Sequence, residues 1–250
     1  MRLSRHLALV TAAALLTVLG AAPPASAAPG HRRHHEPAQA VVNQTSANWS
    51  GYWVRGAQNQ FSVVAARWTV PEATCNSNTV TFSDFWVGLD GAGTKTVEQT
   101  GTSVNCNPVG TPEYYPWYEM YPADPVVYND PVMPGDEMQA QVRYLDDGRF
   151  ELALRDWTQK WFEITYATPP SGSTAMRATA EVIAEVPGDG YRLTDFGSVL
   201  FTAARVNGEP IGDLAPDKVT MVVPGTTIPR AIPSALTGDG KDFSVAWQTY

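Results

Sequence analysis

Histidine is missing from most of this chain. All four histidines lie within the first 35 residues, at His6, His31, His34 and His35, so residues 41 to 250 contain none. Mechanisms that pass a proton through histidine, such as Ser-His-Asp and Cys-His arrangements, are therefore excluded for residues 41 to 250, as are zinc and iron sites with imidazole ligands. Only two cysteines are present, Cys75 and Cys106, too few for a thiolate metal site. We expect no metal and no cofactor.

Basic residues are also scarce. After position 40 the chain has 13 basic and 24 acidic residues, for a net charge of −11, and only four of the basic residues are lysines. Such a surface repels the phosphates of nucleic acids and anionic membranes, so we expect neither as a partner. The acidic excess suits an acidic medium, because protonation of carboxyl groups near their usual pKa of about 4 relieves their mutual repulsion.

Long apolar runs are absent except at the N-terminus. There, two arginines precede an apolar run from Leu7 to Ala22, and Ala25-Ser26-Ala27 has the small-x-small form of a secretory cleavage site. We predict that residues 1–27 are a signal peptide, that residues 28–40 are a flexible leader or short propeptide, and that the protein is secreted and extracellular. In an oxidising compartment the two cysteines are expected to form one disulfide.

The rest of the chain, residues 41–250, is predicted to be a single all-β domain. Strand-like runs alternate with turn signals such as Pro-Gly-Asp and Asp-Asp-Gly, and nothing matches a long amphipathic helix. Many antiparallel strands with short turns imply a sandwich of two sheets whose inner faces make the core. The predicted strands span residues 48–54, 61–70, 79–89, 94–104, 113–121, 137–144, 150–156, 161–167, 175–186, 191–206, 218–223 and 243–249.

The segment FWVGLDGAGTKTVEQTGT, residues 85–102, predicts a β-hairpin with unusual polar residues. Its turn is Asp90-Gly91-Ala92-Gly93. Because side chains alternate along a strand, Trp86 and Asp90 share one face of the first strand, and Gln99 lies on one face of the second. An indole, a carboxyl group and an amide could therefore line one surface. The alternative is a hairpin whose solvent face happens to be polar.

Two other strands carry acidic residues on one face. In YYPWYEMYP, Trp117, Glu119 and Tyr121 share a face, and in ATAEVIAEVP, Glu181 and Glu185 share the face opposite the small apolar residues. The first pattern fits either a core strand with an edge carboxylate or a substrate cleft lined by rings. The second fits either solvated strand charges or a pair of carboxyl groups on an accessible face. Two carboxyl groups a few ångströms apart would raise each other's pKa.

Taken together, seven segments resemble motifs of the glutamic peptidases, also called eqolisins. The resemblance covers residues 45–206, and the same order of motifs makes it more specific than any one match. SANWSGYWV resembles the family's NWxG strand, RWTVP its TVP strand, FWVGLDG its WVGIDG segment, VEQTG its QTG motif, WYEMYP its WYEWYP segment, AEVIAEVP its AEWIVE segment and TDFGSVLF its DFGSVTF strand.

The resemblance implies a fold and a catalytic pair. The implied fold is a sandwich of two large antiparallel sheets, similar to the concanavalin A or legume-lectin architecture, with the active site on the concave sheet. The family's catalytic glutamine corresponds to Gln99 and its catalytic glutamate to Glu185. Two positions depart from the motifs: Ser103 stands where an acidic residue is sometimes found, and Val182 replaces a tryptophan.

The resemblance also assigns supporting roles to residues around the pair. Glu119, Asp90 and Trp86 are implied to hydrogen-bond the pair and to wall the cleft, and Trp117 and Tyr121 fall on the same predicted cleft face. Glu181 could bias Glu185 by like-charge repulsion.

The function implied is that of a monomeric endopeptidase that cleaves protein or peptide substrates at acidic pH by direct attack of water. Glu185 would deprotonate the water and then protonate the leaving amine, while Gln99 would donate to the oxyanion. The rival hypothesis is a secreted carbohydrate-binding module or glycoside hydrolase on the same sandwich, in which Glu181 and Glu185, or Glu119 and Glu185, do the work. A third hypothesis is a sandwich without catalytic activity.

Overall fold

The structure is a computed structural model that describes residues 42–188 and 190–250. The predicted signal peptide and leader, residues 1–40, lie outside the described residues. The described part of the chain folds as strands apart from one 3-10 helix at Ile211–Leu214, so the all-β prediction is confirmed. Within it, no helix is long and apolar enough to cross a membrane.

The strands, numbered in chain order, have the following bounds: β1 Val42–Ser46, β2 Trp49–Arg55, β3 Val63–Thr69, β4 Asp84–Leu89, β5 Val97–Cys106, β6 Pro112–Tyr121, β7 Val126–Val127, β8 Glu137–Tyr144, β9 Phe150–Asp156, β10 Trp161–Ala167, β11 Thr179–Glu185, β12 Ser198–Val206, β13 Glu209–Pro210, β14 Asp217–Val222, β15 Pro229–Pro233 and β16 Phe243–Trp247.

Hydrogen bonds join these strands into one continuous path that folds over on itself. The order along the path is β10-β9-β8-β3-β12-β16-β15-β14-β2-β11-β4-β5-β6-β7, with β1 beside β14 and β13 beside β12. Strands from the two halves of the path pack face to face: β4 against β3 and β8, β5 against β8 and β9, and β11 against β3 and β12. The predicted sandwich is therefore confirmed, although one strand pair, β1 with β14, is parallel.

The core between the two layers follows from the alternation of side chains along the strands. On β8, for example, Met138, Ala140 and Val142 are buried, while the residues between them are more exposed. Rings from opposite layers meet in this core, as where Tyr52 of β2 packs edge to face on Phe243 of β16 with ring centroids 4.7 Å apart. Such a pair adds about 0.5 to 1.5 kcal/mol beyond its buried area. These contacts hold the layers together.

The predicted hairpin is present as β4 and β5, with Leu89 opposite Glu98 next to the turn. Asp90 (φ 67°) and Gly91 (φ 113°) adopt left-handed backbone conformations at this turn, which Asp and Gly tolerate better than most residues. Both strands are buried on both faces. The opposite layer covers one face, and a second apolar cluster, containing Trp53, Trp86, Val97, Trp117 and Ile183, covers much of the other. The alternative of a polar solvent face is therefore wrong.

All twelve predicted strands overlap observed ones, but some boundaries differ. Five of the strands begin two or more residues later than predicted, and the largest delays are at Asp84 and Ser198. Four strands were not predicted: Val42–Ser46, Val126–Val127, Glu209–Pro210 and Pro229–Pro233. Two of these are only two residues long, one is rich in polar residues and one is bounded by prolines, so local pattern carries little signal for them.

The expected disulfide joins Cys75, in the segment before β4, to Cys106 at the end of β5, with Cα atoms 5.4 Å apart. The bridge closes a loop that contains the whole hairpin. It therefore restrains both strands that carry the residues described next.

Candidate active site

The outer face of β2, β11, β4, β5 and β6 carries three rows of side chains that cross the strands. Residues paired directly across neighbouring strands point to the same face, so the register alone defines each row. The first, called the Gln99 row, contains Trp53, Glu181, Gly88, Gln99 and Glu119. The second, the Trp86 row, contains Gly51, Ile183, Trp86, Gly101 and Trp117. The third, the Glu185 row, contains Trp49, Glu185, Asp84, Ser103 and Tyr115.

A cleft of about 750 Å³ opens on this face. The predicted site residues that line it are Gln99, Trp117, Glu119, Tyr121 and Glu185. The fold thus brings the proposed catalytic glutamine and glutamate to one cavity, although they lie on different strands and in different rows.

Glu185 lies at the end of β11, and both of its carboxyl oxygens accept hydrogen bonds. Asn48 Nδ2 donates to Oε1 at 3.1 Å, and Trp86 Nε1 donates to Oε2 at 2.8 Å. The pKa of Glu185 is raised to about 8, chiefly by burial and also by the nearby carboxyl groups of Asp84 and Glu119, while the indoles of Trp49 and Trp86 oppose the rise. Glu185 is therefore a stronger base than an exposed glutamate, and its protonated form is a fixed proton donor.

Gln99 is held by its neighbour in the same row. Its Nε2 donates to Glu119 Oε2, and its own Oε1 has no hydrogen-bond partner among the described residues. Burial raises the pKa of Glu119, while the donation from Gln99 lowers it. Because a side-chain amide carries two N–H donors, contact with Glu119 orients the amide and leaves a second N–H for a ligand.

Trp86 lies beneath the cleft rather than along its wall. Its side chain is completely buried and does not line the cavity, but it is the residue that donates to Glu185. The glycines beside it make room for this ring: a Cβ at Gly101 would lie 2.6 Å from Trp86 Cβ, and one at Gly88 would lie 2.8 Å from the indole. The predicted hydrogen-bonding role fits this position, whereas the predicted wall does not.

Asp90 is also away from the cleft. It is completely buried at the hairpin turn, where its two oxygens accept the backbone N–H groups of Arg177 (2.7 Å) and Ala178 (2.9 Å). Its contacts join the turn to the segment that leads into β11, and no hydrogen bond links it to Gln99 or Glu185. The structure thus gives Asp90 a structural position instead of the expected place beside the pair.

Glu181 does not lie where the sequence predicted, on an accessible face beside Glu185. It lies on the same face of β11 as Glu185, as the alternation predicted, but it is completely buried and does not line the cleft. The apolar cluster around Trp53 and Ala92 packs over this end of the face. Burial, with Asp90 and Glu98 nearby, raises the pKa of Glu181 well above that of a free glutamate, and no well-aligned hydrogen bond reaches its oxygens.

Among the polar residues that line the cleft but were not predicted from sequence, three lie next to Glu185 or in its row. Asn48, which donates to Glu185, precedes β2; Asp84 and Tyr115 are members of the Glu185 row. For Asp84 a signal was available, because the period of two that places Trp86 on one face of β4 places Asp84 there as well. Within residues 42–188 and 190–250, no group of three or more His, Cys, Asp or Glu side chains is arranged to hold a metal ion.

Comparison with known families agrees with this geometry. A sequence profile described as the Peptidase A4 family matches residues 47–242, which include every residue of the three rows. This chain belongs to the Peptidase A4 family. It is therefore a glutamic endopeptidase, as the seven sequence motifs predicted. A search of curated protein sequences gave no match.

Solved structures similar to this Peptidase A4 chain show the same fold. Scytalido-glutamic peptidase, crystallised with a transition state analog inhibitor, is 24% identical, with a TM-score of 0.67 over 80% of this chain and 98% of that one. SCP-B, a member of the eqolisin family in complex with the tripeptide Ala-Ile-His, is 23% identical, with a TM-score of 0.64 over the same shares. Aspergilloglutamic peptidase from Aspergillus niger is 22% identical, with a TM-score of 0.52 over 67% of this chain and 99% of that one.

Proposed function

We propose that this Peptidase A4 member is a secreted endopeptidase that cleaves protein substrates at acidic pH, with Glu185 and Gln99 as its catalytic pair. The observation that carries the proposal is that both side chains open into one cleft and that each is held by a hydrogen-bonding neighbour, Glu185 by buried Trp86 and Gln99 by half-buried Glu119. Secretion rests on the predicted signal peptide.

The reaction is a direct hydrolysis. In its carboxylate form, the minor form at acidic pH because the pKa of Glu185 is raised to about 8, Glu185 takes a proton from a water molecule as the water oxygen attacks the carbonyl carbon of the scissile peptide, and the carbonyl oxygen becomes an oxyanion. Glu185 then gives the proton to the amide nitrogen as the C–N bond breaks, which releases the amine and the carboxylic acid. A positioned acid and base of this kind contributes about 10²- to 10⁴-fold to the rate.

Gln99 stabilises the negative charge that develops. The N–H that does not contact Glu119 donates to the oxyanion, a contribution of about 10²- to 10³-fold for one donor. The unpartnered Oε1 can accept a hydrogen bond from the attacking water. An amide suits this role at low pH because it does not titrate there, whereas a carboxylate acceptor would become protonated.

The cleft suits an unfolded peptide segment. Rings and aliphatic groups of Trp49, Trp117, Tyr121, Pro125 and Val127 line it together with polar groups, which fits apolar side chains and a hydrogen-bonding main chain. Complexes of the similar structures with a peptide-based transition state analog and with a tripeptide support a peptide substrate.

The carbohydrate hypothesis loses one of its two carboxyl pairs, because buried Glu181 cannot contact a sugar in the cleft. Glu119 and Glu185 both line the cleft, but Glu119 already contacts Gln99, an arrangement that the peptidase mechanism uses and the glycosidase mechanism does not. Together with the family, this contact favours the peptidase.

The proposal is tested with purified, folded protein and a denatured protein substrate, between about pH 2 and pH 5 and with a metal chelator and blockers of serine and cysteine peptidases present. We expect the parent protein to cleave under these conditions. Glu185→Gln and Gln99→Ala should each lower kcat at least about 100-fold with little change in thermal stability. Near-parental turnover by either variant would contradict the assignment.

A further inference from the structure

Asp84 stands between two polar residues of the Glu185 row. On β4 it is the direct partner of Glu185 on β11 and of Ser103 on β5. Directly opposed residues on one face of a sheet have Cβ atoms about 4.5 to 5.5 Å apart, so the carboxyl groups of Asp84 and Glu185 are close neighbours. All three side chains line the cleft.

Asp84 is held from its other side. Ser103 Oγ donates a hydrogen bond to Asp84 Oδ1, and both residues are almost completely buried. This donation lowers the pKa of Asp84, but burial and Glu119 raise it to about 7. Asp84 therefore has a fixed orientation beside Glu185 rather than the freedom of a surface carboxylate.

Two carboxyl groups at this separation, Asp84 buried and Glu185 half-buried, cannot both carry a charge without mutual repulsion, so they bind and release protons as a pair. The other titratable groups that face the pair are Glu119 and Tyr115, both from β6, and Lys95 lines the same cleft. The neighbouring residues that precede or begin β2, Asn48 and Trp49, carry no charge. Asp84 is the direct neighbour of Glu185 in this set.

We propose that Asp84, oriented by Ser103, is a positioning residue that controls when Glu185 gives up and regains its proton. The proposal rests on the proposed function, because it assumes that Glu185 is the proton carrier. Asp84 does not touch the substrate's reacting atoms in this role. It acts through its charge on Glu185.

The pair also accounts for the serine at position 103. A carboxyl group at position 103 would face the same cleft but would lie one strand farther from Glu185 than Asp84 does, because β4 separates β11 from β5. In this chain β4 supplies the carboxyl group and β5 supplies the hydroxyl that fixes it. Exchanging the two side chains should therefore keep a carboxyl group on this face but weaken its effect on Glu185.

The test compares pH profiles of kcat/KM for the parent protein, Asp84→Asn, Ser103→Ala and the exchanged double variant Asp84→Ser/Ser103→Asp. Asp84→Asn removes the negative neighbour, so the pKa of Glu185 falls. The limb of the pH profile whose midpoint reflects the pKa of Glu185, called the Glu185 limb, therefore moves to lower pH by about one pH unit. This direction is the same whether Glu185 enters the reaction as base or as acid. Ser103→Ala should give a smaller shift of the same sign, because Asp84 without its donor keeps its proton longer. The exchanged variant should show a shift of the same sign as Asp84→Asn but smaller, because its carboxyl group lies one strand farther from Glu185.

Asp213→Asn is the matched control, because it removes an exposed carboxylate that does not line the cleft, and its profile should equal the parental one. A folded Asp84→Asn with an unshifted limb, or one shifted to higher pH, overturns the proposal. Should Asp84→Asn fail to fold, Ser103→Ala and the exchanged variant decide, and unshifted profiles for both overturn it. An active Glu185→Gln would instead overturn the proposed function itself; an inactive Glu185→Gln with an unshifted Asp84→Asn overturns this inference alone.

Discussion

Trp86 donates its indole N–H to Glu185 across two neighbouring strands, at 2.8 Å. The two residues lie in adjacent rows of the cleft face, and Gly88 and Gly101 leave the space in which the ring lies. A tryptophan that looks like a core residue by its burial is thus also a polar contact of the proposed base.

Replacing this indole should raise the pKa of Glu185, because a donor to the charged form is lost. In Trp86→Phe the limb of the kcat/KM profile that reports Glu185 should move to higher pH by up to about one unit, opposite in sign to the shift expected for Asp84→Asn. The measurement is the pH profile on one peptide substrate. Trp117→Phe is the control: this indole Nε1 has no hydrogen-bond partner among the described residues, so truncating it can alter KM but should leave the limb in place. Equal profiles for Trp86→Phe and the parent would contradict the role of Trp86.

Glu119 should matter through Gln99. In Glu119→Gln the carboxylate acceptor becomes an amide, whose nitrogen can face Gln99, so the Gln99 amide loses its single orientation. We expect kcat to fall about 10- to 100-fold with a smaller change in KM, since the lost interaction stabilises the transition state. Glu113→Gln, an exposed position on the same strand, should retain parental kcat. A Glu119→Gln variant with parental kcat would show that Gln99 needs no such support.

Asp90 should matter for stability and not for chemistry. Asp90→Ala would leave the partly buried N–H groups of Arg177 and Ala178 without their acceptor and would place alanine at a φ of 67°. Together these changes should cost about 2 to 4 kcal/mol of unfolding free energy. Urea unfolding measures the loss, and kcat/KM at a temperature where the variant is folded should stay within about threefold of the parent. A large loss of kcat in folded Asp90→Ala would restore the catalytic role that the resemblance implied.

Buried carboxyl groups should make the fold more stable in acid than at neutral pH. Burial raises the pKa of Glu98 to about 8, and the pKa of Glu181 is raised as well. The folded state therefore binds more protons than the unfolded state at pH values above the usual glutamate pKa of about 4.3, and the free energy of unfolding falls as pH rises toward 8. Thermal unfolding at constant ionic strength should show Tm falling by several degrees between about pH 4 and pH 8.

The matched variant for this prediction is Glu98→Gln. It removes one of the buried titrating groups at nearly constant volume, so its Tm should depend less steeply on pH than that of the parent. Glu137→Gln, at an exposed glutamate, should keep the parental slope. A parental Tm that is constant or rises between pH 4 and pH 8 would contradict the argument.

The sequence predicted which residues lie on the cleft face more successfully than which of them are neighbours across strands. Alternation placed Gln99, Glu119 and Glu185 on faces that the structure joins into one surface, because the period of two along a strand is a local property of the backbone. Motifs then identified which of these residues to pair. Asp84 followed from the same period but escaped notice, since its importance depends on the strand that lies beside β4, and strand order is not a local property.

The solvent exposure of individual acidic side chains was predicted least accurately. Glu181 and Glu185 have the same local pattern. Glu181 is nevertheless buried at the end of the face where the apolar cluster with Trp53 and Ala92 packs, whereas Glu185 lines the cleft. Asp90 likewise fits a polar turn by sequence, and only the approach of residues 177 and 178 turns it into a buried acceptor. Each outcome depends on rings or backbone groups supplied by distant segments.

The sequence by itself determined the available chemistry and the class of fold. Without histidine after position 40, carboxyl and amide groups are left to move protons and stabilise charge, and strand periodicity with frequent turns leads to a β-sandwich. Tertiary structure alone decided which carboxyl groups share a cleft, which are buried and which share protons. The physical reason is that pKa and accessibility depend on neighbours across the sheet and over it, and these neighbours are set by register and packing between residues far apart in the chain.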